Sequence, residues 1–247
     1  MIMDFKRDTL VIVPTYNESK NVSNLLNPFV QPGMNGLVQS SFDVLIIDDN
    51  SPDGTAEIVK NYIVKYSNIH LLERSGKLGL GSAYRDGFNW ALEREYKNIV
   101  EMDADFSHSY SDLINLNTYK KDYDLVIGSR YVSGGRTEGW STGRKLLSIT
   151  ANNIAKIFLN IKVNDMTSGF RIYSRECLES INYQNTKSNG YAFQIEMTLL
   201  VSNNNKSIKE IPITFYERSL GDSKMSKAIV YEAIKFLLAN IFTMRRK

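Results

Sequence analysis

Asn98-Ile-Val-Glu-Met-Asp-Ala-Asp-Phe-Ser-His108 is the stretch on which the reading of this chain turns. Residues 98–102 have the short apolar character of a buried strand, and the strand runs directly into Asp103 and Asp105. On a strand that continued, the i, i+2 spacing would place both carboxylates on one face. Two carboxylates about 5 Å apart at an effective dielectric near 20 repel by roughly 3 kcal/mol. A cation offsets that repulsion most simply. Hard divalent ions prefer carboxylate and phosphate oxygens, so Asp-x-Asp at a strand end can hold a metal against a diphosphate. A lone pair of this kind is more often a solvated turn, so its weight depends on the chain around it.

Outward from this stretch, apolar runs and amphipathic segments alternate. Strands are expected over 9–13, 42–47, 69–72, 98–102 and 124–128, with helices following Asn17, over 55–66, 82–96 and 111–120. Asn17 is expected to cap the first helix. Alternation of this kind implies a mainly parallel sheet in an α/β fold. Ligands of such sheets sit beyond the carboxyl ends of the strands. Three polar clusters fall at those ends: residues 14–18, Asp48-Asp49, and residues 103–105. Their convergence raises the Asp-x-Asp stretch from a turn to a candidate site. The later half is less regular. A glycine-containing loop is expected over 129–143, an amphipathic helix over 144–160, an extended segment over 167–173, and short helices over 174–180 and 193–201. A strand over 207–216 is interrupted by Pro212, which points to a sheet edge, and a helix is expected over 227–244.

Composition bounds the function. The chain has 247 residues, 43% hydrophobic and 23% charged, which allows one sizeable α/β domain. A net charge of +3 is too small to point to nucleic acid. The single Cys177 makes no internal disulfide and reads as a packing residue; it fits a reducing, cytoplasmic setting. The first eight residues lack the character of a signal peptide, and no apolar run reaches spanning length. Gly79-Leu-Gly81 lacks the third glycine of a dinucleotide fingerprint. His70 reads as a structural residue, and His108 as a structural or turn residue.

A set of motifs in one order covers nearly the whole chain: Val13-Pro-Thr-Tyr-Asn-Glu18, Asp48-Asp-Asn-Ser-Pro-Asp-Gly-Thr55, Lys77-Leu-Gly-Leu-Gly-Ser-Ala-Tyr84, Met102-Asp-Ala-Asp-Phe-Ser-His108, Gly128-Ser-Arg-Tyr131, Thr167-Ser-Gly-Phe-Arg171, Gly190-Tyr-Ala-Phe-Gln-Ile-Glu-Met197 and Glu217-Arg-Ser-Leu-Gly-Asp-Ser-Lys224. By these the chain resembles glycosyltransferase family two, and within it the dolichol-phosphate (polyprenyl-phosphate) mannosyltransferases. The resemblance implies a single GT-A type, Rossmann-like α/β domain. Residues 1–128 would form its nucleotide-sugar half, and residues 129–247 an acceptor half with a C-terminal helix. It implies inverting transfer of mannose from GDP-mannose to a polyprenyl phosphate, with Mg²⁺ or Mn²⁺. A UDP-sugar donor such as UDP-glucose, or a non-catalytic nucleotide-sugar-binding subunit, is the alternative.

The same resemblance assigns roles. Pro14, Tyr16 and Glu18 resemble the nucleotide pocket, with Ile47 and Asp49 beside the base and ribose. Asp103 and Ala104 resemble donor contacts, and Asp105 the direct metal ligand. Ser107 stands where many relatives have Gln; its hydroxyl is a weaker ligand that can act through water. Arg130 and Arg144 resemble the cations near the sugar and acceptor phosphate, and Arg218 and Lys224 a loop closing over the diphosphate. Arg171 is balanced between an ion pair, with Glu196 as its partner, and acceptor binding. Many relatives carry transmembrane helices after this region. A peripheral place on the cytoplasmic face of a membrane is therefore expected, reached directly, in part through the C-terminal helix, or through a membrane-anchoring subunit.

Overall fold

The structure, a computed structural model, describes residues 7–31 and 41–217. Its elements in order are β1 (Thr9–Thr15), α1 (Val22–Val30), β2 (Phe42–Asp48), α2 (Thr55–Ile63), β3 (Ile69–Glu73), α3 (Leu80–Leu92), β4 (Asn98–Glu101), α4 (Tyr110–Thr118), β5 (Leu125–Ser129), β6 (Arg136–Glu138), α5 (Thr142–Leu159), β7 (Arg171–Ser174), α6 (Arg175–Ser180), α7 (Gly190–Asn203), β8 (Ile208–Pro212) and β9 (Thr214–Tyr216). Seven strands form one sheet in the order β3-β2-β1-β4-β7-β5-β8. All pairs are parallel except those of β7, which runs antiparallel to β4 and β5. Strands β6 and β9 make a separate two-stranded parallel sheet.

The strands are apolar on both sides because both faces are covered. In β1, Leu10 and Ile12 face one core with α3 and α7, while Val11 and Val13 face the other with α1 and α4. Strand order places β1 between β2 and β4, so the chain builds outward on one side and then returns to the other. That reversal opens a crevice at the carboxyl ends of β1 and β4. Strands from both sequence halves share the one sheet, so its hydrogen bonding joins them.

Several expectations need correction. Strand β4 ends at Glu101, so Asp103 and Asp105 do not sit on a continuing strand. They lie in the following loop, where Phe106 takes a positive φ of 61°. The first helix starts at Val22, with Asn21 as its N-cap; Asn17 lies earlier, in the left-handed region at φ 59°. The expected strand over 207–216 is two strands, β8 at the edge of the main sheet and β9 in the small one. The small strand β6 falls inside what reads as a loop. The helix expected over 227–244 lies outside the described residues.

Helix α3 approaches the sheet closely at Gly87. A Cβ there would sit 2.7 Å from Ile47 Cδ1 and 2.8 Å from Ile12 Cγ2. Alanine normally improves a helix interior by about 1 kcal/mol over glycine. Overpacking costs about 1–3 kcal/mol. Gly87→Ala should therefore lower stability in urea unfolding, despite its better helix propensity. A gain in stability would show that helix and sheet separate freely.

Candidate functional site

The β1 and β2 ends are stitched together by backbone N–H groups donating to side-chain oxygens. Asn17 N donates to Ser51 Oγ at 3.0 Å, Glu18 N to Thr55 Oγ1 at 3.0 Å, and Ser19 N to Asp53 Oδ2 at 3.0 Å. Asp48 is spent on its own turn, accepting from Ser51 N, Ser51 Oγ and Thr15 Oγ1. These bonds fix the loop that carries Tyr16 and Glu18. Asp49, the next residue, pairs with Arg74 at 3.1 Å, and Arg74 is held in turn by Asp86 at 3.2 Å and Ser82 at 2.8 Å. Burial pushes the Asp49 carboxyl up, and Arg74 opposes that shift.

A crevice of about 350 Å³ opens over these strand ends. Its lining includes Pro14, Tyr16, Glu18 and Asp49, the loop residues Asp103, Ala104, Asp105 and Ser107, and Arg130 and Arg144. Ten of the residues singled out from sequence thus meet in one cavity. Ile47 does not: its side chain is fully buried in the core against α3, because its position on β2 points it away from the strand-end opening. Arg218 and Lys224 lie outside the described residues.

The carboxylate loop is braced from beneath. Ser107 N donates to Asp105 Oδ1 at 3.1 Å. Ser107 Oγ is buried with no hydrogen-bond partner, an oxygen donor left available beside Asp105. Among the described residues no cluster of three or more His, Cys, Asp or Glu side chains forms a complete metal cage. Two protein oxygens with room beside them fit an ion that takes its remaining ligands from diphosphate and water. His108 Nε2 lies 3.3 Å from Asp103 Oδ2, and its ring stacks on Phe170 with centroids 4.5 Å apart. His108 is therefore a buried brace for Asp103. His70, by contrast, packs on Trp90 and approaches Asp43 and Tyr96, away from the crevice.

The cationic wall combines two kinds of arginine. Arg130 donates from its backbone N, Nε and Nη2 to Asp165 at 2.9, 2.7 and 2.6 Å, and from Nη2 to Thr167 Oγ1 at 2.8 Å. Burial alone would raise the Asp165 carboxyl, but the Arg130 charge and hydrogen bonds hold it below the usual carboxylate range. Arg144, in the first turn of α5, lies with its guanidinium carbon 4.2 Å from the Trp140 ring centre and donates to Glu217 at 2.7 Å. Trp140 and Phe215 also flank Arg130. Arg171 belongs to neither group. It is fully buried and donates to the carbonyls of Ser168, Gln194 and Met166 and to Thr198 Oγ1, so the acceptor reading fails. Glu196 is not its partner; it accepts from Ser188 N.

Sequence reasoning assigned no role to several residues at the crevice. Lys77 lies 4.6 Å over the Tyr16 ring. Thr167, Ser168, Asn189, Tyr191, Gln194 and Phe215 also line the walls. Most fall within quoted motifs, which marked the segments but not which side chains point inward. Glu101, at the end of β4, is fully buried and accepts from Gln194 Nε2 at 2.7 Å. Burial pushes its carboxyl from 4.5 to about 7, against the pull of Arg171 and of the Gln194 bond. Cys177 is a buried core residue, and burial pushes its thiol up to about 12.

Residues 10–181 match the family model described as Glycosyl transferase family 2. The chain is 42% identical over 231 residues to a polyprenol monophosphomannose synthase of Mycolicibacterium smegmatis, covering 92% of this chain and 84% of that protein. It is 43% identical over 225 residues to an undecaprenyl-phosphate mannosyltransferase of Micrococcus luteus, covering 91% and 90%. Among solved structures, glucosyl-3-phosphoglycerate synthase of Mycobacterium tuberculosis with Mn²⁺ and UDP-glucose aligns with a TM-score of 0.67 at 18% identity, over 96% of this chain and 79% of that one. A mannosyltransferase of Pyrobaculum calidifontis with GDP-mannose and Mn²⁺ aligns with a TM-score of 0.60 at 16% identity, over 98% and 65%. These structural likenesses bear on the fold, and they agree with the GT-A architecture.

Two predictions follow from the buried charges. Glu101 has a folded-state pKa above its unfolded value, so its neutral form favours folding at low pH, and stability is lost as pH rises from about 4.5 toward 7. Glu101→Gln removes that slope. The variant's melting temperature relative to the native protein should rise between about pH 5 and about pH 8; a constant difference would refute the burial assignment. Replacing Arg130 by Ala strands a buried Asp165 and should cost about 3–5 kcal/mol in urea unfolding, whereas Arg144→Ala removes a surface pair and should cost under about 1 kcal/mol. Equal costs would contradict the geometry. On this fold, site and sequence match, the chain belongs to glycosyltransferase family 2.

Proposed function

We propose that the protein transfers a mannosyl group from GDP-mannose to a polyprenyl phosphate, giving a β-linked polyprenyl-phosphate mannose. The observation that carries this reading is the meeting of Asp103, Asp105 and Ser107 with Arg130 and Arg144 in the lining of one crevice. The two relatives matching over nine-tenths of the chain, a polyprenol monophosphomannose synthase and an undecaprenyl-phosphate mannosyltransferase, support the mannosyl group and the lipid class. Residues 1–128 form the donor half and residues 129–247 the acceptor half.

In this reading Pro14, Tyr16, Glu18 and Asp49 bind the nucleoside, and Asp103 and Ala104 position the sugar diphosphate. Asp105, with Ser107 directly or through water, holds Mg²⁺ or Mn²⁺, which supplies Lewis-acid neutralisation of the leaving diphosphate. Arginine forks suit the acceptor phosphate, since they donate two parallel hydrogen bonds. Arg144 takes this role, while Arg130, its fork committed to Asp165, stands beside it as a fixed charge, and Arg218 and Lys224 are assigned to the diphosphate. The acceptor phosphate oxygen attacks the sugar C1 as the bond from C1 to the diphosphate oxygen breaks, with inversion. A phosphate is already ionised near neutral pH, so no strong base is needed. Among the described residues, neither His nor Cys lines the crevice. A lipid acceptor brings the crevice to a membrane surface, on the cytoplasmic face where GDP-mannose would be met, with the protein held there peripherally or through an anchoring subunit.

The test is turnover of GDP-mannose with a short-chain polyprenyl phosphate. Asp105→Ala should reduce kcat/KM at least about a hundredfold, and Arg144→Ala should lower it strongly without loss of fold. Undiminished, metal-independent turnover in Asp105→Ala would defeat the assignment. Competition by UDP in place of GDP would move the donor to the UDP-sugar alternative.

A further inference from the structure

Among the described residues three glycines line the crevice: Gly79, Gly169 and Gly190. Two of them have a backbone reason to be glycine. Gly79 and Gly190 take positive φ of 98° and 53°, and a Cβ on Gly79 would sit 2.6 Å from Asn189 Oδ1. Gly169 has neither reason. Its φ lies outside the positive region, and a Cβ there would meet nothing closer than 3.8 Å, an ordinary contact distance. Glycine at such a position loosens the unfolded chain without easing the folded one. The atoms at that distance are Asp103 Oδ1, Asp103 Oδ2 and Gln194 Nε2, each 3.8 Å away. Asp103 and Gln194 line the crevice beside Gly169.

The frame around Gly169 is fixed. Ser168 Oγ donates to Gly128 O at 2.6 Å, Gly128 N donates to Phe170 O at 2.8 Å, and Arg171 Nε donates to Ser168 O at 2.6 Å. His108 stacks on Phe170 and reaches Asp103, so the carboxylate is held on the same frame. Gln194 is 2% exposed, and its Oε1 is buried with no hydrogen-bond partner. Its Nε2 carries two hydrogens, of which Glu101 accepts one. Because the Glu101 carboxylate accepts, the nitrogen end of the amide is the end turned toward it. A carboxylate accepts, an amide nitrogen donates, and a hydroxyl does both. Asp103 and Gln194 together thus complement hydroxyl groups seated over Gly169. A phosphate at that spot would meet the Asp103 carboxylate at close range, where like charges repel.

We propose that Gly169 is the seat of the donor's sugar ring, with sugar hydroxyls accepting from Gln194 Nε2 and donating to Asp103. The proposal rests on the nucleotide-sugar reading of the crevice and adds which residues hold the sugar rather than the nucleotide. Gly169 acts by having no side chain: the space a Cβ would fill belongs to the ring. Gln194 touches the sugar, and Glu101 is a positioning residue that acts through Gln194. A ring held at this seat keeps its C1 aligned while the diphosphate departs, which is the orientation that a displacement requires.

The test is titration calorimetry of the full chain with Mn²⁺ present, comparing GDP with GDP-mannose. Gly169→Ala should keep GDP affinity within about twofold of native and weaken GDP-mannose about tenfold or more, because the added methyl takes the place of the ring. Its melting temperature should hold or rise slightly, since the position is open and alanine stiffens the unfolded chain. Gln194→Met keeps the side-chain volume without the donor, and should weaken GDP-mannose about threefold to tenfold with GDP again spared. Native-like GDP-mannose binding by Gly169→Ala overturns the proposal. So does an equal loss for GDP, which would put the methyl against the nucleotide. A fall in the melting temperature of Gly169→Ala would give the glycine a structural role and also overturn it. Binding is read without an acceptor, so absent turnover beside a selective loss of GDP-mannose strikes the acceptor reading alone. If the native protein binds UDP-glucose instead, the same contrast between UDP and UDP-glucose decides the seat, and only the donor reading falls. A native protein that binds neither nucleotide sugar overturns both.

Discussion

The buried pair of Arg130 and Asp165 is the constraint around which the acceptor side is arranged. Asp165 is wholly removed from solvent and Arg130 nearly so. Charges in such a setting are tolerable only with close partners and their remaining hydrogen bonds satisfied. Here the partners come from different elements. Glu210 on β8 accepts from Asp165 N, Asn164 N and Ser129 Oγ, tying the edge strand to the end of β5 and to the segment before β7. Thr167 receives Arg130 and Asn152 together. The pair therefore joins β5, β8, the 164–168 segment and α5.

That constraint explains the unusual orientation of α5. A helix that must supply Ser148, Asn152 and Lys156 to a polar network cannot also turn its large apolar side chains inward. Only Ala155 and Leu159 of its inner arc reach the core. The apolar content of the sequence is then left on the outer arc. The polar anchoring of the site and the apolar outer face are two consequences of one choice of inner residues.

The first half of the fold was legible because its signals are local. Strands β1 to β5 are short apolar runs, all but β3 ending at or near Pro, Gly or Asp, and parallel order follows from alternation with helices. The strand-end residues of the crevice were legible for the same reason. What was missed depends on partners distant in sequence. Asp165 meets Arg130 across 35 residues, Glu210 meets Ser129 across 81, and Gln194 meets Glu101 across 93. No local pattern announces such pairs. Ile47 was misplaced because adjacency to Asp49 in sequence says nothing of which sheet face a side chain takes, and the pleat sends it into the core. The 144–160 segment read as amphipathic, but periodicity alone does not say which side of a helix meets solvent.

The two arginines differ in how readily they can exchange partners, and that difference suits a transfer reaction. Arg130 is locked: its Nε and Nη2 are committed to Asp165, and releasing them would strand a buried carboxylate. It contributes a fixed positive field that needs no reorganisation when charge moves in the crevice. Arg144 is held by Glu217, whose side chain is 42% exposed, and by the face of Trp140. An exposed pair of this kind is worth about 0–1 kcal/mol, while a guanidinium can grip a phosphate through two charge-assisted hydrogen bonds. An incoming phosphate can thus replace Glu217 at little cost, with Trp140 keeping the guanidinium plane oriented. One cation sets the electrostatics and the other changes hands, which is the division of labour required when an anion must enter, react and leave through the same opening.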